Sequence, residues 1–256
     1  MPKRLSFMDV DCRLASKDEL LDAIAHASSE SPVRIATLNP EIILEARKNP
    51  RYRQALEGME VCSVDGFGLF FMLTVWQRLH RRLIIGRYPG ADLVEAIFQS
   101  DKSVFLLGGQ PGMGLATDAA AALKTRYPNL RIVGAEGGGT IDRNNPQVDP
   151  ELAARIREAK PDVLLVGFGA PRQELWISAA RDLPVPVMVG VGGTFGFYLQ
   201  KKRAPQLMRS LGLEWLYRGF SESGHWGRIW RAVVVFSLYA LGWMIKASSP
   251  FGRLRA

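Results

Sequence analysis

The run PDVLLVGFGAPRQELW, residues 161–176, decides the fold class. Its first part, "DVLLVGFG" (162–169), is continuously apolar up to its glycines, as in a strand covered on both faces. The two glycines let the main chain turn sharply or approach a ligand closely. Pro171 suits a helix start, and Gln173 and Glu174 fall in the first turn of a helix predicted over 172–181. Strand, glycine turn and helix make one repeat of an alternating α/β chain.

The same repeat recurs on either side. "VRIATL" (33–38), "MEVCSV" (59–64), "SVFLLG" (103–108), "LRIVGA" (130–135) and "VPVMVGVG" (185–192) read as strands. Helical patterns cover 40–48, 68–80, 91–99, 112–126 and 149–159. The alternation predicts an α/β fold, a Rossmann-like, mostly parallel sheet flanked by helices. Such sheets bind ligands beyond the carboxyl ends of their strands. The residues that follow each strand are therefore the candidates.

After "VRIA" comes Thr37-Leu38-Asn39-Pro40-Glu41. Asn39 suits an N-cap, Pro40 the first helical turn and Glu41 the positive helix end. Thr37 and Asn39 share strand parity and so face one side. The next strand ends in "VCSVDGFG" (61–68). Asp65 is either a turn-former or a general base at a cleft mouth. "LLGGQPGMG" (106–114) can turn tightly or hold a phosphate at a helix start, but it is no clean GxGxxG. "GVGGTFGF" (190–197) adds another glycine-rich strand end, and several such ends in one sheet suggest a lined pocket.

With 47% hydrophobic residues in 256, the chain can bury a sizeable core. Its two cysteines, Cys12 and Cys62, form neither a disulfide scaffold nor a CxxC site and suit a reducing cytoplasm. Three scattered histidines argue against a His-based metal site or a Ser-His-Asp site. The basic start "MPKRLSFMDVDCR" lacks the long apolar core of a signal peptide, so secretion is not expected. Strand parity would put the DxD carboxylates, Asp9 and Asp11, on one face, and they are read as structural.

Residues 201–256 hold ten Lys/Arg against two acids, which is the whole net charge of +8. A neutral α/β body (1–200) thus carries a basic appendage (201–256) fit for nucleic acid, anionic membrane or a phosphorylated ligand. "KKRAPQLMRSLGLEWLYRGF" looks helical. The apolar run from Ala232 to Ile245, about 21 Å long as a helix, is short for a bilayer core of about 30 Å. Trp226, Trp230, Tyr239 and Trp243, with basic ends, suit a membrane interface. The apolar character between charges disfavours nucleic acid. An oxidoreductase built on "GGQPGMG" lacks the acidic ribose contact.

"LNPEIILEARKNPRYRQAL…VDGFG", "RYPGADL", "GFGAPRQELW", "GVGG-F" and "KRAPQLMRSLGLEWLYR" stand in an order and spacing that resembles the WecG/TagA/CpsF glycosyltransferases. The resemblance spans roughly residues 5–220. It implies an inverting transfer from a UDP-sugar to a polyprenyl-diphosphate-linked sugar at the cytoplasmic membrane face, in surface or exopolysaccharide assembly. The basic appendage is a better source of charge for the leaving diphosphate than a metal on Asp9 and Asp11, so no metal is expected. It implies that Asp65 is the base and that Thr37, Asn39, Arg87 and Gln173 bind substrate. The appendage would dock on the membrane and bring arginines to the donor diphosphate. Arg203, Arg218, Arg228 and Arg231 are the candidates. A homo-oligomer is compatible with such folds. The chain departs from the family at Gly196, where Asp is usual, and in "GAEGGGT", where an aromatic is common. "SESGHWGR" replaces the usual "EPxR". These departures admit a glucose donor, as in a β-1,4-glucosyltransferase, beside N-acetylmannosamine or its uronic acid.

Overall fold

The central parallel strands of this chain read as apolar runs because both of their faces are covered. In the computed structural model, which describes residues 3–80, 85–110, 114–199, 230–248 and singly Pro205, Met208 and Gly227, the chain opens with an antiparallel hairpin, β1 (Lys3–Phe7) and β2 (Val10–Leu14). Its two turn residues, Met8 and Asp9, both have positive φ. That is the twist a two-residue hairpin requires. The shared-face expectation for Asp9 and Asp11 therefore fails: Asp9 sits in the turn and only Asp11 lies in β2. Helix α1 (Lys17–His26) follows under a capping box of Ser16 and Glu19.

Strand β3 (Val33–Leu38) leads into α2 (Pro40–Lys48) and α3 (Pro50–Glu57). Both helices start in the same way. Asn39 and Asn49 accept the N–H of Ile42 and Tyr52, each at 3.1 Å, and a proline occupies the first helical position. The second Asn-Pro pair ends one helix and begins the next. Strand β4 (Val61–Val64), α4 (Phe67–Leu79) and α5 (Gly90–Phe98) come next.

The second half runs β5 (Val104–Gln110), the two-residue β6 (Gly114–Leu115), α6 (Ala116–Arg126), β7 (Ile132–Glu136), α7 (Pro150–Ala159), β8 (Val163–Gly167), α8 (Arg172–Ala179) and β9 (Val187–Gly190). The short ribbon of β5 with β6 delays α6 to Ala116. Residues 108–110 lie in β5 and Gly114 in β6, and residues 111–113 of "GGQPGMG" lie outside the described residues. A 3₁₀ turn (Gly192–Thr194) and α9 (Phe195–Leu199) close this half. A π turn (Arg231–Val235) runs into α10 (Phe236–Ser248).

Among the described residues the sheet has nine strands, in the order β1-β2-β4-β3-β9-β8-β5-β6 with β7 also beside β5. Pairing is parallel from β2 through β7 and antiparallel at β1–β2 and β5–β6. Alternate residues feed two cores. Leu164 and Val166 of β8 point into one, Val163 and Leu165 into the other. The pairing of β3 with β9 joins the two halves of the chain, and the site opens there.

Helix α10 packs on the body along one stripe, Phe236, Ala240 and Met244. Trp243 is half-buried against the body. Its ring meets Phe7 and Trp76 at centroid distances of 5.3 and 4.7 Å, and its indole N–H donates to Asp9. Trp230, Leu238, Leu241 and Ile245 face outward.

Candidate active site

A cleft of about 520 Å³ opens at the carboxyl ends of β3, β4, β8 and β9. Its wall includes Thr37, Asn39, Asp65 and Gln173, four of the residues singled out in the sequence, and Arg231 from the C-terminal segment. Arg203, Arg218 and Arg228 lie outside the described residues.

Asp65 is held by its main chain. Its N–H donates to the Leu38 carbonyl at 2.8 Å, so the end of β4 folds over the end of β3. The following glycine makes this possible. A Cβ on Gly66 would lie 2.6 Å from Pro40 Cδ and 3.3 Å from Asn39 Cβ. Gly66 has φ −71. The Asp-Gly pair is therefore a close approach to the Asn39-Pro40 corner, not a left-handed turn. Arg87 touches this corner through its guanidinium, 3.5 Å from the Asp65 main-chain carbonyl. It reaches the site through the backbone and is not part of the cleft wall.

Thr37 is buried and donates its hydroxyl to the Gly190 carbonyl at 3.1 Å, which links β3 to β9. Gly90 packs on it, with a Cβ there only 3.0 Å from Thr37 Cγ2. That contact accounts for the glycine of "RYPGADL". Asn39 does cap α2, and it lines the cleft as well.

Gln173 spans two turns. Its Oε1 accepts the N–H of Gly169 at 3.1 Å and of Gly192 at 2.9 Å. Its Nε2 donates to Glu174 Oε1 at 2.7 Å. Glu174 is wholly enclosed, and Tyr52 donates its hydroxyl to the other carboxylate oxygen at 2.9 Å. Burial pushes the Glu174 carboxyl up to about 7, against the lowering pull of its hydrogen bonds from Gln173 and Tyr52. Burial first, then the Glu174 charge, pushes the Tyr52 phenol well above its usual value, so it stays a donor.

Sequence reading missed much of the charge in the cleft. Lys48, Arg143 and Arg172 join Arg231 on its wall, against Glu41, Glu45 and Asp65. Arg143 arrives on the long connection between β7 and α7 and pairs with Glu45 at 3.3 Å. Arg172 stood inside the "PRQE" motif, beside Gln173. Gly139 and Gly196 carry no side chain, and among the described residues the aromatic rings on the wall are Phe197 and Tyr239. Asp9 and Asp11 do not line the cleft. Among the described residues, no group of three or more His, Cys, Asp or Glu is arranged to hold a metal.

A carboxylate and several cations at the carboxyl edge of a mainly parallel sheet are the equipment of an α/β group-transfer enzyme with an anionic substrate. The sequence matches the glycosyl transferase WecG/TagA/CpsF family over residues 5–250, and the chain belongs to that family. The protein is a glycosyltransferase. It is 35% identical over 203 residues, 77% of this chain and 74% of the relative, to an N-acetylglucosaminyldiphosphoundecaprenol N-acetyl-beta-D-mannosaminyltransferase of Staphylococcus aureus. It is 31% identical over 201 residues, 76% of this chain and 74% of the relative, to the enzyme of the same name from Bacillus spizizenii.

Proposed function

We propose that this glycosyltransferase moves a sugar, with inversion, from a UDP-sugar to a saccharide carried on polyprenyl diphosphate, in the assembly of a cell-surface or extracellular polysaccharide. The observation that carries this reading is the convergence of Asp65, Thr37, Asn39 and Arg231 on one cleft. It occurs in a chain whose relatives are named for a diphosphoundecaprenol acceptor and a β-linked product. From an α-linked nucleotide sugar, a β product is an inversion.

Asp65 takes the proton of the acceptor hydroxyl as that oxygen bonds to the anomeric carbon. The bond from that carbon to the UDP oxygen breaks, and negative charge grows on the diphosphate. Arg231, with Arg203, Arg218 and Arg228 of the appendage, neutralises that charge. Arg172 and Arg143 add to it from the body. Thr37, Asn39 and Gln173 shape the donor seat, and Arg87 steadies Asp65. With cations in this role the reaction needs no metal.

The membrane reading is peripheral, at the cytoplasmic face. The helix Arg231–Ser248 is long and apolar enough to cross a bilayer by length and composition. Phe236, Ala240, Met244 and Trp243 tie it to the body, however, and Arg231 lines the cleft. Lying on the lipid surface satisfies both its exposed apolar face and the basic charge around it.

The test is UDP release from UDP-glucose, UDP-GlcNAc and UDP-ManNAc with a short polyprenyl-diphosphate-sugar acceptor, with and without EDTA. The expected result is acceptor-dependent release with one donor, unaffected by EDTA. UDP-glucose as that donor would fit the missing side chains at Gly139 and Gly196. Release without acceptor, or inhibition by EDTA reversed by Mg²⁺, would overturn the corresponding part.

A further inference from the structure

Glu174 is the only Asp or Glu among the described residues to be buried, and the chemistry above does not use it. Enclosing a carboxylate is costly, and an apolar side chain of similar volume fills such a site at lower cost. What the carboxylate adds is direction. The Gln173 amide can be turned over with almost no change of shape. In one orientation its oxygen meets the N–H groups of Gly169 and Gly192, and its NH₂ meets Glu174. Turned over, it would put N–H against two N–H groups and oxygen against a carboxylate. Once ionised, Glu174 forbids the second orientation, and Tyr52 fixes Glu174 from behind.

Gly169 and Gly192 line the cleft from the ends of β8 and β9, and both have positive φ, 74° and 54°. Each turn has one local side-chain bond, Thr194 Oγ1 to the Val191 carbonyl at 2.6 Å and Arg172 Nε to the Phe168 carbonyl at 3.3 Å, but it is Gln173 that joins the two turns to each other. The fit beneath them is tight: a Cβ on Gly190 would lie 2.8 Å from Gln173 Nε2 and 3.2 Å from Glu174 Oε1. We propose that Glu174 is a positioning residue for the cleft, which with Tyr52 orients Gln173 so that its one oxygen straps the Gly169 and Gly192 turns together at the nucleotide-diphosphate seat. The strap rests on the reading that this cleft takes the UDP-sugar.

The experiment uses the full chain, with UDP as the probe, and compares wild type with Glu174→Leu, Glu174→Gln and Tyr52→Phe. Calorimetry gives UDP affinity, and amide hydrogen exchange reports Gly169 and Gly192 without ligand. An unpaired buried polar group is costly enough that Glu174→Leu should weaken UDP binding and speed exchange at both glycines by about tenfold or more. Glu174→Gln should restore both to within about threefold, because its amide still accepts from Gln173 and faces the Tyr52 hydroxyl. Tyr52→Phe should fall between, and it carries the test if the leucine variant does not fold. A folded Glu174→Leu or Tyr52→Phe protein with unchanged affinity and unchanged exchange overturns the strap, as does a glutamine variant as impaired as the leucine one. Faster exchange in the variants, with no UDP bound by wild type, upholds the strap and overturns the donor reading.

Discussion

The indole N–H of Trp243 donates to Asp9 Oδ1 at 3.0 Å, across 234 positions of sequence. The last described helix is thereby pinned to the turn of the first hairpin. Its other end brings Arg231 to the cleft.

Trp243→Ala should loosen α10 and withdraw Arg231. The ring is half-buried between Phe7 and Trp76, so the cost should be about 3 kcal/mol, the low end for a tryptophan truncation. Asp9→Ala removes the exposed acceptor and a 4.0 Å ion pair with Arg47, and puts alanine at a positive φ, so it should cost about 1–2 kcal/mol. Limited proteolysis and a denaturant midpoint check both. A fully resistant Trp243→Ala protein would mean that the stripe of Phe236, Ala240 and Met244 suffices.

Asp65→Asn keeps the shape of the side chain and removes the base. It should lower kcat by about 10²–10⁴-fold and leave UDP affinity and the melting temperature near wild type. Turnover within a fewfold of wild type would end the assignment of Asp65 as base.

Gly66→Ala tests whether the glycine serves the position of Asp65. The added methyl would lie 2.6 Å from Pro40 Cδ. Overpacking of this kind costs about 1–3 kcal/mol. It should also displace Asp65 and lower turnover well beyond what the lost stability explains. An alanine variant of normal activity would show that the corner yields freely.

Glu174 ties stability to pH. Burial raises its folded carboxyl from 4.5 to about 7, so between these values the folded chain holds a proton that the unfolded chain has lost. The contribution is most favourable below pH 4.5, declines as pH rises through the window and is gone above about 7. At ~1.4 kcal/mol per unit, the loss is about 3 kcal/mol. Glu174→Gln removes this decline. Its melting temperature should match wild type near pH 5 and exceed it by several degrees near pH 8. Parallel pH curves for the two proteins would refute the raised carboxyl.

The parallel strands and most helices are legible in the chain because two-sided burial writes continuous apolar runs, and "VRIATL" matches β3 residue for residue. The first hairpin is not. Its turn is Met8-Asp9, without the Asn or Gly that marks a left-handed turn, and its five-residue strands, KRLSF and VDCRL, lack the continuous apolar run of the central strands. Helix α3 is hidden by Pro50, which breaks α2 and starts its successor under a repeated cap.

The site divides in the same way. Thr37, Asn39, Asp65 and Gln173 are readable because each stands at the carboxyl end of a strand or in the turn of chain just beyond it, and parallel topology gathers strand ends at one edge. Sequence by itself therefore determined the fold class, the edge that carries the chemistry and the basic, apolar character of the C-terminal segment. Tertiary structure alone decided what each group touches. It turned Gln173 into a strap between two turns, enclosed Glu174 and put Gly66 against Pro40. It also delivered Arg143 and Arg231 to a wall built from residues far away in the chain. Local pattern records which face of an element is buried. It does not record the partner across the gap, because that partner is set by loop paths and packing between elements that share no local sequence.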